Sequence, residues 1–339
     1  MSRPYVIPIF IPHFGCSHRC VFCNQSAITG AQDFLPTPED IRSTIGRFLE
    51  YKKKNRSHTE VSFFGGNFLG LPPELIKQFL EETAKFVDLH KIDGIRFSTR
   101  PDTIDKDRLD LISLYPVTTI EIGVQSMDDN VLTKARRGHS AADTIHAVGL
   151  LKQKKYNIGL QMMTGLPGDS DAGSLQTAGE IIKLSPDFVR IYPTIVIAGS
   201  ALAGLYKKGE YTPMTIDDCV VLLKQLYRLF YKNNIVVIRM GLQASEELDD
   251  ASTVIAGPYH PALGHMVYSE IMLDQAKKKF NELPGHADRV TITVHPKNFS
   301  RMQGLNKQNI DVIKQNYDIK DVKIKTDSSL TDFDVRVVF

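Results

Sequence analysis

The chain has 339 residues, 42% hydrophobic and 24% charged, with a formal net charge of +2. That length suits roughly two domains, or one α/β barrel of about 200–250 residues with an appendage, and it can bury a core without staples. The balance excludes a strong electrostatic footprint for nucleic acid or membrane, although one local basic face would suffice for RNA.

Only four cysteines occur, and three fall within eight residues near the N-terminus. A disulfide framework would spread them out, so a reducing compartment and a metal are expected. The first apolar run, Tyr5 to Ile11, is broken by Pro8 and Pro12. It is too short for a membrane span and lacks a signal-cleavage pattern. A buried strand in a cytoplasmic protein, with no membrane partner, is the expectation.

Mostly apolar runs at 5–11, 60–64, 94–99, 118–124, 157–163, 188–193 and 235–240 predict parallel strands covered on both faces. Helices fall between them. The first opens at Thr37-Pro38-Glu39-Asp40, a cap followed by proline, and runs toward Lys52-Lys53-Lys54. The second opens at Pro72-Pro73-Glu74, and a long one is expected over about 216–232. Six βα units predict an α/β fold, a partial (β/α)6 TIM-like barrel over 1–240. Residues 241–265 have few periodic apolar positions and read as an ordered loop or lid. Residues 266–339 read as a small α+β module: a helix over 266–280, a strand over 290–294, one or two helices over 296–317, and strands over 322–326 and 334–339.

The loop after the first strand reads Phe14-Gly15-Cys16-Ser17-His18-Arg19-Cys20-Val21-Phe22-Cys23-Asn24, a C-x3-C-x2-C spacing. Thiolates are soft ligands that suit iron–sulfur clusters, zinc or copper(I). Three of them cannot complete a four-iron cubane, so one iron stays open to an exogenous ligand. A zinc site using the three cysteines with His13 or His18 is the alternative. Cys219, alone among apolar helix neighbours, reads as a buried inert thiol.

Further motifs follow at the strand ends: Ser62-Phe63-Phe64-Gly65-Gly66-Asn67-Phe68, Ser98-Thr99-Arg100-Pro101-Asp102, Glu121-Ile122-Gly123-Val124-Gln125-Ser126, Arg136-Arg137-Gly138-His139, Gly165-Leu166-Pro167-Gly168 and Val189-Arg190-Ile191-Tyr192-Pro193-Thr194. The cysteine spacing, with aromatic Phe22 before the third cysteine, resembles that of the radical S-adenosylmethionine (SAM) superfamily. The ordered motifs resemble the radical SAM domain of the elongator catalytic subunit, which modifies the wobble uridine of tRNA. Oxygen-independent coproporphyrinogen oxidases are a more distant resemblance. The likeness covers about residues 5–240.

This resemblance implies a [4Fe–4S] cluster on Cys16, Cys20 and Cys23. Its open iron would take the amino and carboxylate groups of SAM, and electron transfer would release a 5′-deoxyadenosyl radical. A reductant such as flavodoxin or ferredoxin is implied as partner. Gly65, Gly66 and Asn67 stand where the family's GGE-type motif receives the methionyl amino group. Gln125 stands at the ribose-binding position and Arg137 at the residue pairing with the methionyl carboxylate. Phe22, Gly165 and Tyr192 are expected in the same pocket. Ser98 replaces a glutamate that relatives often use for the ribose, and offers only a weaker neutral hydrogen bond.

Glu121 shares a strand face with Gly123 and Gln125, so it is either a substrate residue or a structural ion pair. His260, in a proline-shaped loop, is a substrate candidate or a loop residue. No counterpart of the elongator subunit's acetyltransferase domain or N-terminal RNA-binding extension is visible. The module's Lys277-Lys278-Lys279, Lys297, Arg301, Lys307, Lys314, Lys323 and Lys325 could follow an RNA backbone or form solvated helix faces. RNA modification is the first functional expectation, and small-molecule chemistry, as on a tetrapyrrole, the second. A non-enzymatic iron–sulfur sensor is the third. The cysteine loop, Gly65-Gly66, Gln125 and the Gly165 turn are expected to converge at the carboxyl ends of the strands, with the segment after 243 and the module covering them.

Overall fold

The computed structural model describes residues 4–25, 27, 35–51, 58–250, 252–283 and 287–339. Two compact units emerge, residues 1–214 with 229–259 and residues 215–228 with 260–339.

The first unit is built on a sheet of seven parallel strands: β1 (Tyr5–Phe10), β2 (Thr59–Phe64), β3 (Gly94–Thr99), β4 (Val117–Gln125), β5 (Asn157–Thr164), β6 (Phe188–Pro193) and, past a short β7 (Val196–Ile197), β8 (Val236–Met240). Each pairs with the next in the order β1-β2-β3-β4-β5-β6-β8, curling into a partial barrel. Alternation decides which side chains face which way. Ile7, Phe63, Phe97, Ile122 and Leu160 are fully buried. Phe63 stacks on Phe79 of the helix Pro73–Asp88, with ring centroids 5.8 Å apart. The intervening residues, among them Ser98, Gly123, Gln161, Arg190 and Arg239, line a cavity. The runs look continuously apolar because the helix side dominates them, while the concave side mixes these polar residues with apolar ones such as Val6, Phe64 and Met163.

Helix starts follow the signals in the sequence. Thr37 caps α1 (Pro38–Glu50) in a reciprocal capping box with Asp40. The Lys52-Lys53-Lys54 run lies outside the described residues. The segment after 241 is not a plain loop: it holds a helical turn, Glu246–Asp249, and β9 (Val254–Ala256), which pairs antiparallel with β7. Ile195, Ile197 and Leu248 are buried together there, with Leu242 and Val254 against them.

In the second unit α2 (Leu263–Glu282) packs on a three-stranded sheet of order β11-β10-β12, made of β10 (Arg289–Val294), β11 (Asp321–Thr326) and β12 (Val335–Val338). Its core joins Met272, Ala276 and Phe280 to Val290, Ile292, Ile313 and Val337. Among the described residues no helix is long and apolar enough to cross a membrane.

Candidate functional site

The loops after β1, β2 and β3 are laced together by Asn67. Its backbone N–H donates to Phe14 O at 2.9 Å and its Nδ2 to Gly15 O at 2.9 Å. Its Oδ1 accepts from Thr99 Oγ1 at 2.7 Å, Thr103 Oγ1 at 2.9 Å and the Arg100 N–H at 3.0 Å. The Asn67 side chain therefore holds the cysteine loop in place. The two glycines before it serve the same crossing. A Cβ on Gly66 would stand 2.3 Å from Ile11 O and 2.5 Å from Phe14 O, and Gly65 has φ +91°.

Cys16, Cys20 and Cys23 line one cavity of about 730 Å³, together with Gly65, Gly66, Ser98, Gln125, Arg137 and Tyr192. Cys16 is exposed, Cys20 buried and Cys23 half-buried. Although Cys16 reaches solvent, desolvation by the protein atoms around it, then the neighbouring Cys20, raises its thiol, and burial, then Cys20, pushes Cys23 up to about 12. Such thiols ionise when a metal's positive charge compensates them. Among the described residues no three His, Cys, Asp or Glu side chains converge on one ion. A four-iron cluster spreads its ligands over different irons and needs no such point. The histidines of the zinc alternative line the same cavity but are engaged by other groups. His13 Nε2 accepts the Gln25 N–H at 3.0 Å, and the His18 ring lies against Gly138, where a Cβ would be 2.5 Å away.

Polar groups beside the thiols await partners. Arg100 Nη1, Gln125 Oε1, Arg137 Nε and His139 Nδ1 are buried without a hydrogen bond. Gln125 holds a positive φ of +66° at the end of β4, where the register with β5 shifts. Such backbone strain in a non-glycine residue is typical of ligand sites. The Arg137 guanidinium donates to Cys20 Sγ at 3.1 Å and to Gly123 O at 2.6 Å, and Gly123 leaves room for it. Burial and then the Arg137 charge lower His139 to about 4, so it stays neutral near pH 7.

Deeper in the barrel a buried charge network spans five strands, β2 to β6. Arg190 forks onto Glu121, Nε to Oε2 at 2.6 Å and Nη2 to Oε1 at 3.0 Å. Arg96 reaches Glu121 at 3.3 Å and Glu60 at 2.7 Å. Gln161 Nε2 donates to Glu121 at 2.9 Å and to Ser98 Oγ at 3.3 Å. Glu121 is thus a structural ion pair. Arg96, Gln161 and Arg239 were missed from sequence. Their signal is a polar residue interrupting an apolar strand run, in step with cavity positions on the neighbouring strands.

Two expected residues serve turns. Gly165 has its N–H on Asp169 Oδ2 at 3.0 Å, and its carbonyl accepts from Tyr211 Oη at 2.7 Å. His260 belongs to the second unit, where its Nδ1 accepts the Ala262 N–H at 3.0 Å beside the start of α2. Phe22 and Tyr192 both reach the cavity.

A curled parallel sheet with three thiols and orphaned polar groups at one end of its concave side defines a cofactor-dependent barrel enzyme. The chain belongs to the radical SAM superfamily, whose family profile matches residues 10–181, and the radical SAM C-terminal domain profile matches residues 186–272. It is 29% identical over 194 residues to tRNA uridine(34) acetyltransferase of Methanocaldococcus infernus, covering 56% of this chain and 34% of that protein. It is 29% identical over 208 residues to human Elongator complex protein 3, covering 55% of this chain and 38% of that protein. An uncharacterized protein of Methanocaldococcus jannaschii is 28% identical over 226 residues, covering 64% of this chain and 68% of that one. The fold is similar to that of Methanocaldococcus infernus Elp3 lacking its N-terminus, with a TM-score of 0.62 and 22% identity over 82% of this chain and 64% of that one. The chain spans little more than a third of the length of the acetyltransferase and of the human Elongator protein.

Proposed function

We propose that this radical SAM enzyme holds a [4Fe–4S] cluster on Cys16, Cys20 and Cys23, binds SAM beside it and modifies RNA. The observation that carries the cofactor part is the shared cavity. Three thiols and the unpartnered Gln125 and Arg137 atoms meet in a space of about 730 Å³, within the usual range for ligand cavities. When bound, the cluster supplies the electron that cleaves SAM to a 5′-deoxyadenosyl radical. Gly65 and Gly66 bring backbone to the methionyl end, Arg137 faces its carboxylate, and the Gln125 amide offers donor and acceptor to the ribose diol. Ser98, Tyr192 and Phe22 line the same cavity and would complete the cofactor pocket.

Arg137→Ala is expected to weaken SAM binding about 10- to 150-fold, as for a lost hydrogen bond to a charged group worth about 1.5–3 kcal/mol. Gln125→Ala should cost less, because its bonds are neutral. Equal SAM affinity in wild type and Arg137→Ala, measured by calorimetry on reconstituted protein, overturns the carboxylate role.

RNA as substrate is supported by the relative named as a tRNA uridine(34) acetyltransferase. Acetyl transfer is not carried over, since the match covers only part of that protein. The test is nucleoside analysis of RNA from a deletion strain. One modified nucleoside should disappear and return with the wild-type gene, but not with Cys20→Ala. An unchanged nucleoside profile overturns the RNA reading and leaves the cofactor reading standing.

A further inference from the structure

One face of the second unit's sheet has no role in the chemistry above. On β10 and β11 the residues Val290, Ile292, Val322 and Ile324 point into the core, and on β12 so do Val335 and Val337. Alternation sends their neighbours to the opposite face. There Lys325, Thr293 and Arg336 are register partners, one per strand, and form a straight row. The next row is Lys323, Thr291 and Val338, and beyond it Arg289 stands opposite Asp321. Neighbouring strands are about 4.8 Å apart and alternate residues about 6.7 Å apart along a strand. Lys323, Lys325, Arg289 and Arg336 are all exposed, and the two threonines are half-buried. Four cations against Asp321 make the strand residues of this face clearly positive. One contact opposes this: Arg336 lies 3.7 Å from Asp327 beyond the end of β11.

By contrast, other cations of the unit are spent on neighbours. Lys279 pairs with Glu282 at 2.8 Å, Lys320 pairs with Asp288 at 2.9 Å, and Arg301 covers the Tyr268 ring at 4.0 Å. Resting on the RNA reading, we infer that this sheet face is a docking platform for the phosphate backbone of the RNA substrate. Lys323, Lys325 and Arg336 neutralise phosphates, and the Thr291 and Thr293 hydroxyls between them donate to phosphate oxygens. Contacts of this kind fix register and carry no base specificity, which is what a platform outside the reacting cavity must supply. The competing account is that lysines on edge strands merely block strand-to-strand pairing. That account gives no reason for Arg289 or for hydroxyls on the central strand.

The two accounts separate in a binding experiment with bulk tRNA and full-length protein. The triple variant Lys323→Ala, Lys325→Ala, Arg336→Ala is compared with Lys278→Ala, Lys279→Ala on the helix α2, with thermal melting as a check on folding. Neutralising three phosphate contacts should lower the slope of log affinity against log salt by about 2 to 3. The helix variant should keep the wild-type slope. If wild type binds tRNA and the folded triple variant binds it with the same slope, or if both variants lose equally, the platform is wrong and the RNA reading stands. If wild type binds no tRNA, the RNA reading itself falls. Should the triple variant not fold, the charge-reversed single variants Lys323→Glu and Lys325→Glu carry the same comparison.

Discussion

Replacing Cys16, Cys20 or Cys23 by Ala should abolish iron binding, whereas Cys219→Ala should leave it intact. The three thiols share one cavity, and a cubane needs all three, because one of its four irons is already without a protein ligand. A missing thiolate would leave a second iron open, a loss no other described thiol can make good. Cys219 is fully buried in the helix Ile216–Lys232, and burial alone pushes its thiol up to about 12. It has neither the position nor the charge to substitute. After anaerobic reconstitution the wild type and Cys219→Ala should hold about four iron and four sulfide per chain. Each of the other three variants should lose the visible absorption of the cluster. Wild-type iron content in any one of them, or stoichiometric zinc without iron in the native protein, would overturn the cluster assignment.

The cysteine loop was legible because its chemistry is local: three thiols within eight residues report themselves. The strands were legible for a different reason. Residues such as Ile7, Phe63 and Leu160 pack away from the cavity, and their alternate positions keep each run apolar enough to recognise. That dominance hid the concave side. Arg96 and Gln161 each sit among apolar neighbours, and only the register of β3, β4, β5 and β6 reveals that they meet at Glu121. The bonds of the Asn67 amide were not legible because a motif position does not say which way an amide turns. Tertiary partners on Gly15, Thr99 and Thr103 decided it. The β7–β9 ribbon escaped notice because strands of two and three residues carry no periodicity.

Glu121→Ala should be the most destabilising single change in the barrel. Glu121 is fully buried, and its two oxygens take bonds from Arg190, Arg96 and Gln161. A buried ion pair adds little over a well-packed apolar substitute, but removing one member leaves the other charge stranded, at about 3–5 kcal/mol. The two arginines will not suffer equally. Arg96 keeps the Glu60 carboxylate at 2.7 Å, whereas Arg190 keeps the neutral partners Tyr192, at 3.4 Å, and the Phe64 ring, 5.9 Å from its guanidinium. The loss should therefore come mainly from Arg190, and Arg190→Met in the Glu121→Ala background should recover part of it. For a unit of this size that loss corresponds to a fall in melting temperature of roughly 6–20 °C. The change should also release Gln161. The Glu121 carboxylate, forked by Arg190, accepts from the Gln161 amide and so fixes its NH₂ side toward itself and Ser98. Without that acceptor the amide is free to turn, and the wall facing the substrate space loses its fixed pattern of donors and acceptors. Thermal melts of Glu121→Ala, Arg190→Met and the double variant test this as one cycle. A Glu121→Ala protein melting within about 1 °C of wild type, or a double variant no more stable than Glu121→Ala, would mean that solvent already screens the network and that it does not hold the barrel wall.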